Sequence, residues 1–253
     1  RTGIWAGEQS CMLRRGRWVQ LAALSQARAM ARTCAHVDWR WLASAPSTID
    51  AAKRLLRDRG NEDTRPLAVA TAHQTAGRGT KGRAWHDDGQ GNVALTVAFS
   101  SPIPLTPLTL LPLRIGTLVV EALGDANLTL KWPNDVLLDK KKVAGVLVES
   151  DGTALYMGIG VNVASAPTVP KTGPDRGRPA GNVAGDAVEI AQSIADALGA
   201  WTLQPDDAAA VVRDWSKHVD WNQTVELRET GERVTPVKLL PDGRLRVQGA
   251  GGE

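Results

Sequence analysis

Three glycines, Gly77, Gly79 and Gly82, alternate with Arg78, Lys81 and Arg83 in the stretch QTAGRGTKGRAW that begins at Gln74. Glycine lets a backbone approach a ligand closely and turn its N–H groups toward an anion. Basic side chains on the same loop can close over that anion, so a phosphate or a carboxylate suits it. The glycine spacing is neither that of a Gly-Lys-Ser/Thr phosphate loop nor that of a dinucleotide fingerprint. Taken alone, the stretch fits equally well a solvated basic loop or one that touches RNA. A second stretch, KWPNDVLLDKKKVAGVLVES, starts at Lys131. Its Trp132-Pro133 pair restricts the backbone, so Lys131 and Asp135 are held rather than loose. Asn134 can satisfy the backbone groups of a turn. Lys140 and Lys141 read as an exposed hairpin charge run. Lys142 differs, because an apolar strand follows it directly and Gly145 stands three residues on. GIGVN at 158–162 repeats the pattern: small residues on a strand that ends in a polar Asn162.

The elements that must carry these residues can be read from the spacing. SAPSTIDAAKRLLRDRG predicts a helix capped by Ser47 or Thr48, with Asp50 in its first turn and Gly60 as its stop. PLAVATAH and GQGNVALTVAFS predict strands. LTPLTLLPLRIGTLVVEALG has helical length, with Pro107 near its start, Pro112 in or before its first full turns and Gly124 at its end. NLTLKW alternates as a strand. VAGVLVES and ALYMGIGVNV flank Asp151-Gly152, a hairpin signal that places Lys142 and Asn162 on adjacent antiparallel strands, away from the turn. The Pro/Gly-rich segment after Asn162 is a loop. Helices follow near 186–199 and 205–218, and the tail alternates like a small β-meander with turns at Glu229–Glu232 and Pro241–Gly243. The fold class expected is α+β, a mixed but mainly antiparallel sheet with flanking helices plus a small C-terminal β domain.

The chain has 253 residues with a net charge of only +3, so any use of positive charge must be local. It has nine Trp against one Tyr and one Phe. Cys11 and Cys34 have no metal spacing and suit a reducing cytoplasm, though one bridge between them is an alternative; the four histidines show no ligand spacing either. No apolar run approaches the roughly 18 residues that span a bilayer. WVQLAALSQARAMA, behind Arg14, Arg15 and Arg17, is interrupted by Gln20, Ser25, Gln26 and Arg28 and reads as a short amphipathic helix or an extension rather than a signal peptide.

In family order and at family-like spacing, Ser47-Thr48, QTAGRGTKGRAW, KWPNDV, KVAGVLVE from Lys142 and GIGVN resemble the biotin–protein ligases. The resemblance covers about residues 40–220. It implies a class II synthetase-like catalytic domain over 39–219, an uncertain extension over 1–38 and an SH3-like domain over 220–253, with a tail that is short for the family. Biotin and Mg·ATP would give biotinyl-5′-AMP, and a lysine of a biotin carboxyl carrier domain would then take the biotinyl group. By this resemblance Ser47, Thr48 and Gln74 bind the ureido ring, and Gly77 and Arg78 cover the carboxylate and phosphates. Lys81, Arg83 and Trp85 serve ATP. Lys142 bridges the biotin carboxyl oxygen and the α-phosphate, and Gly145, Leu147, Gly158 and Gly160 line the pocket. Asn162 stands near phosphate or metal, with Mg²⁺ held mainly through ATP and no direct protein ligand cluster. Asp135 orients or deprotonates the acceptor lysine, or merely forms a salt bridge in its loop. Lys131 supports it. Arg78, Asp135 and Lys142 form the catalytic set.

Two positions depart from the family pattern. Ile49 stands where Asn is usual, and Thr80 where Arg is usual in the glycine loop. The expected consequence is a looser hold on biotinyl-AMP. The segment before Ser47 is too short and weakly patterned for a winged helix-turn-helix, so no DNA-binding role, no nucleic acid and no membrane partner are expected, in a monomer or homodimer. Rival readings are a lipoate-type acyl-adenylate ligase, a non-catalytic biotin binder and a nucleic-acid-binding module.

Overall fold

The computed structural model describes residues 37–59, 63–87, 91–100, 107–170, 178–203, 207–227 and 230–249. The expected N-terminal helix, the Gly60 stop, part of the Pro/Gly loop, the Glu229 end of one turn and residues 250–253 lie outside the described residues.

A seven-stranded sheet forms the centre, in the order β1-β2-β3-β7-β6-β5-β4. Its strands are β1 (Asp38–Leu42), β2 (Leu67–Thr71), β3 (Val93–Ser100), β4 (Thr129–Lys131), β5 (Asp135–Leu138), β6 (Lys141–Ser150) and β7 (Ala154–Val161). Only β1 and β2 pair in parallel; the other neighbours are antiparallel. The mixed, mainly antiparallel sheet is thus as expected. The strand Asp38–Leu42 is an addition, since DWRWL carries no turn signal to mark it. β2 is buried along its whole length, which suits its small and branched side chains.

Helix α1 (Thr48–Arg59) begins at the Ser47 cap; Ser47 Oγ accepts from Asp50 N at 3.4 Å and its carbonyl accepts from Ala51 N at 3.0 Å. Ile49, Ala52 and Leu56 on its inner face pack with Leu67, Val69, Ala98 and Tyr156. Each large apolar side chain buried in this way contributes about 1.5–3 kcal/mol. Helix α2 (Leu111–Leu123) carries Pro112 in its first turn and ends at Gly124, whose φ of 68° supplies the left-handed cap. Pro112 therefore falls where a missing N–H costs nothing, and no kink is needed. Gly116 lets Leu130 approach, because a Cβ there would lie 3.2 Å from Leu130 Cδ2. Helices α3 (Ala187–Leu203) and α4 (Ala208–Ser216) complete the layer; Asp207 caps α4 by accepting from Ala210 N at 2.7 Å.

The tail forms β8 (Val225–Glu226), β9 (Arg233–Leu239) and β10 (Leu245–Gly249), a three-stranded antiparallel sheet. The SH3-like expectation is met only to that extent among the described residues. Trp132 Nε1 donates to Gly243 O at 2.9 Å, tying the Trp-Pro corner to the β9–β10 turn.

Candidate active site

Direct cross-strand pairing sets one transverse row of residues on one face of the sheet. Lys131 pairs with Asp135, Asp135 with Gly145, Gly145 with Gly160, and Gly160 with Ala94. All five line a cleft of about 510 Å³. A second row, Leu147, Gly158 and Thr96, runs beside it.

Lys142 joins this face through a β-bulge. Strict alternation from Gly145 would turn Lys142 to the opposite side. The register shifts between Val136 and Leu137, so that Val136 faces Ala144 while Leu137 faces Lys142. The extra residue re-aims the lysine. Its Nζ then lies 2.6 Å from Asp135 Oδ1 and 5.3 Å from the centre of the Trp85 ring. A Cβ on Gly145 would lie 3.0 Å from Lys142 Nζ and 3.0 Å from Trp85 Cζ3. Trp85 also lies against Gly160, where a Cβ would fall inside the ring's van der Waals envelope. The two glycines make the flat floor on which the indole rests.

At the other end, α1 presents Ser47 and Thr48. Gln74 Oε1 accepts from Thr48 N at 2.8 Å and lies 3.3 Å from Thr48 Oγ1, and Thr96 Oγ1 donates to Thr48 Oγ1 at 2.9 Å. Asp87 Oδ2 accepts from Gln74 N at 2.6 Å. Ser47, Thr48, Gln74 and Thr96 are buried and Asp87 half-buried, and each bonded donor or acceptor avoids the cost of an unmade hydrogen bond. Ile49, where the family pattern has Asn, is only 4% exposed and lies against Gly158, where a Cβ would fall 2.8 Å from Ile49 Cδ1. The residue gives this end of the cleft an apolar wall.

The glycine loop is itself a small hairpin. Arg78 bridges Ala84, Gly79 N donates to Arg83 O at 2.7 Å and Trp85 N donates to Gly77 O at 2.9 Å. Lys81 and Gly82 take φ of 60° and 73° at its tip. Gly77 is not among the lining residues; its place is structural, since a Cβ would lie 2.6 Å from Gln74 Nε2 and 2.8 Å from Trp85 O. Lys81 is exposed at the tip and is also absent from the lining. The backbone turn that gives it a left-handed conformation carries it past the cleft.

The cations are held differently. Arg78 makes a two-pronged pair with Asp50, at 2.6 and 2.8 Å, and lies 3.5 Å from Glu149, which also binds Lys53 at 2.7 Å. The hydrogen bonds from Arg78 hold the Asp50 carboxyl below its ordinary range and raise the guanidinium pKa in turn. Arg83 instead meets a neutral partner, donating to Thr80 Oγ1 at 2.9 Å and Thr80 O at 3.2 Å. Thr80 thus props an arginine. Asn162, 2% exposed, donates through Nδ2 to Gly181 O at 2.9 Å and Lys142 O at 3.3 Å. Those two acceptors fix the amide orientation and leave its buried Oδ1 with no partner among the described residues. Asn134 bonds β6 rather than its own turn: Nδ2 donates to Val146 O at 2.7 Å.

Sequence reasoning missed Asp50 and Glu149 as partners of Arg78, Thr96 behind Thr48, and Arg178 on the cleft wall. Asp50 was legible only as an acidic first-turn residue, and Glu149 only as the polar end of an apolar strand. Arg178 carried no local signal.

A seven-stranded mixed sheet with flanking helices and a glycine-floored cleft is the catalytic fold of the biotin protein ligases. The structure resembles biotin protein ligase from Leishmania major in complex with biotinyl-5-AMP, with a TM-score of 0.66 and 28% identity over 85% of this chain and 96% of that one. Residues 41–163 match the model of the Biotin/lipoate A/B protein ligase family. Biotin–[acetyl-CoA-carboxylase] ligase of Paracoccus denitrificans is 36% identical over 154 residues, 54% of this chain and 63% of that protein. The enzyme of the same name from Mycobacterium tuberculosis is 34% identical over 123 residues, 46% of each. The chain thus matches between about half and two thirds of the length of these relatives.

Proposed function

We propose that this protein activates biotin with ATP to biotinyl-5′-AMP and transfers the biotinyl group to a lysine of a biotin carboxyl carrier domain, in a reducing cytoplasm. The observation that carries the reading is the place of Lys142, in the middle of the cleft between the Gln74–Thr48 end and Asn162. A carboxylate and an α-phosphate must meet there, and cations must offset their repulsion. Five cationic residues, Arg78, Arg83, Lys131, Lys142 and Arg178, line the cleft against two carboxylates, Asp135 and Glu226.

Residues 39–219 act as the catalytic domain and 220–253 as a small SH3-like domain, with 1–38 as an extension. Ser47, Thr48 and Gln74 supply the polar groups for the ureido ring, and Ile49, Leu147 and Gly158 the apolar wall. A carboxylate oxygen of biotin forms the bond to the α-phosphorus, and the bond to the β-phosphate oxygen breaks with loss of pyrophosphate. Lys142 turns from Asp135 to the two anions as they arrive. Asp135 is then released beside the cleft to accept the proton of the incoming lysine. That lysine, with an ordinary pKa near ~10.4, is almost wholly protonated at neutral pH without such help. Its nitrogen forms the amide to the acyl carbon and AMP leaves. The orphaned Asn162 Oδ1 fits one oxygen contact to Mg²⁺ carried by ATP, a hard cation that takes oxygen donors and neutralises phosphate charge. Among the described residues no group of three or more His, Cys, Asp or Glu could hold a metal without the nucleotide.

The test is biotin-dependent ATP–pyrophosphate exchange, followed by transfer to a carrier domain. The expected result is exchange with biotin, none with lipoate, and its loss in Lys142→Ala with the fold retained by circular dichroism. Exchange absent from the wild-type protein overturns the reading.

A further inference from the structure

Four of the five cations of the cleft, all but Lys131, fall into two groups by the partners they hold. Arg78 and Lys142 each hold a carboxylate, and an incoming anion must displace it. Arg83 and Arg178 hold only neutral oxygens among the described residues: Arg83 the hydroxyl and carbonyl of Thr80, and Arg178 the carbonyl of Lys140, which accepts from its Nη1 at 3.1 Å. A guanidinium tied to a carbonyl is positioned yet keeps its full charge and most of its five donors.

The position of Arg178 is fixed from both sides. Residues 179–181 run parallel to the start of β6: Lys142 N donates to Pro179 O at 2.8 Å, Gly181 N donates to Lys142 O at 3.0 Å, and Lys142 bridges Ala180. Arg178 therefore sits just outboard of Lys142, at the end of β6 farthest from Leu147 and the Ser47–Gln74 end. Its anchor carbonyl lies in the β5–β6 turn, where Asp139 and Lys140 have φ of 49° and 64°. Gln74, Thr48 and Ser47 mark one end of the cleft, Lys142 its middle, and an uncompensated, partly exposed arginine the far wall.

We infer that Arg178 is a binding residue for the β- and γ-phosphates of the nucleotide, the part that leaves as pyrophosphate. The inference rests on the proposed adenylating activity and adds a residue that the glycine loop does not contain. Where a family arginine is replaced by Thr80, a guanidinium from the strap beyond β7, anchored at the β5–β6 turn, supplies charge to the cleft. Charge-assisted bonds from a planar fork suit terminal phosphate oxygens better than the ribose or base.

The experiment is direct calorimetric titration of AMP, ADP and ATP with Mg²⁺, without biotin, into wild type, Arg178→Ala and Arg178→Lys, with exchange kinetics alongside. The expected result is ATP binding weakened about ten- to a hundredfold in Arg178→Ala, the range for a lost hydrogen bond to a charged group. ADP is weakened less, AMP by less than about twofold, and Arg178→Lys recovers part of the ATP affinity. In exchange, the rise falls on the KM for ATP, while the KM for biotin is unchanged. Equal weakening of all three nucleotides overturns the assignment to the terminal phosphates, and unchanged ATP affinity overturns the role altogether. Wild-type protein that binds ATP but shows no biotin-dependent exchange counts against the proposed activity and leaves the titration to judge Arg178 by itself.

Discussion

Replacing Gly160 with Ala tests the floor of the cleft. A Cβ at this position would lie 2.9 Å from Trp85 Nε1 and closer still to two ring carbons. Carbon atoms rest about 3.5–4.0 Å apart, so the indole must rise by about 1 Å or the strand must move. The ring cannot shift without losing its contact over Gly145 and its place 5.3 Å from Lys142 Nζ. Overpacking of this kind costs about 1–3 kcal/mol. Loss of the cation–ring contact adds about 0.5–1 kcal/mol. Against this, Ala is favoured over Gly within a strand by about 0.5–1 kcal/mol. The net expectation is a loss of about 1–3 kcal/mol, measured by urea unfolding. The decisive measurement is the double-mutant cycle with Trp85→Ala. Without the indole the three nearest contacts of the added methyl are gone, and Gly160→Ala becomes neutral or stabilising. A cost of the same size in both backgrounds refutes the claim that the ring rests on this glycine.

The Arg78–Asp50 pair gives a pH test. The folded pKa of Asp50 is lowered, so its stabilisation is complete above the unfolded value of about 3.9 and is lost as pH falls through the lower folded value. Both side chains are about half exposed, which limits the pair to roughly 0.2–1 kcal/mol. The stability difference between wild type and Asp50→Asn should be flat from neutral pH to about 5 and shrink toward pH 3, and a difference that grows on acidification contradicts it. Lys140→Gly relieves a left-handed residue in the β5–β6 turn while keeping the carbonyl that Arg178 uses. A gain of about 0.5–1 kcal/mol in unfolding free energy is expected, and a loss would show that the lysine side chain holds the turn. Thr80→Arg adds a charge to the glycine loop but removes the hydroxyl that accepts from Arg83. Single-turnover chase experiments should find biotinyl-AMP released faster from wild type than from this variant, and slow release matching the variant refutes the looser hold.

Much of this fold is written locally. The Asp151-Gly152 turn and the alternation on either side of it determine the β6–β7 register, and through it the pairing of Gly145 with Gly160. The Ser47 cap, the first-turn Pro112 and the Gly124 stop likewise bound α1 and α2 from single residues. These features depend on neighbours a few positions apart, which a period or a cap can report. Three matters belong to the tertiary structure alone. The face that Lys142 occupies is set by a bulge against β5, and period-two counting from Gly145 gives the wrong side. The strand Asp38–Leu42 exists because β2 offers it a parallel edge. The division of these cations into carboxylate-bound and neutral-bound arises from Asp50, Glu149, Asp135, Thr80 and Lys140, of which only Thr80 and Asp135 lie within ten residues of the cation they hold. Charge balance in a cleft is a sum over groups brought together from distant segments, and no local pattern contains that sum.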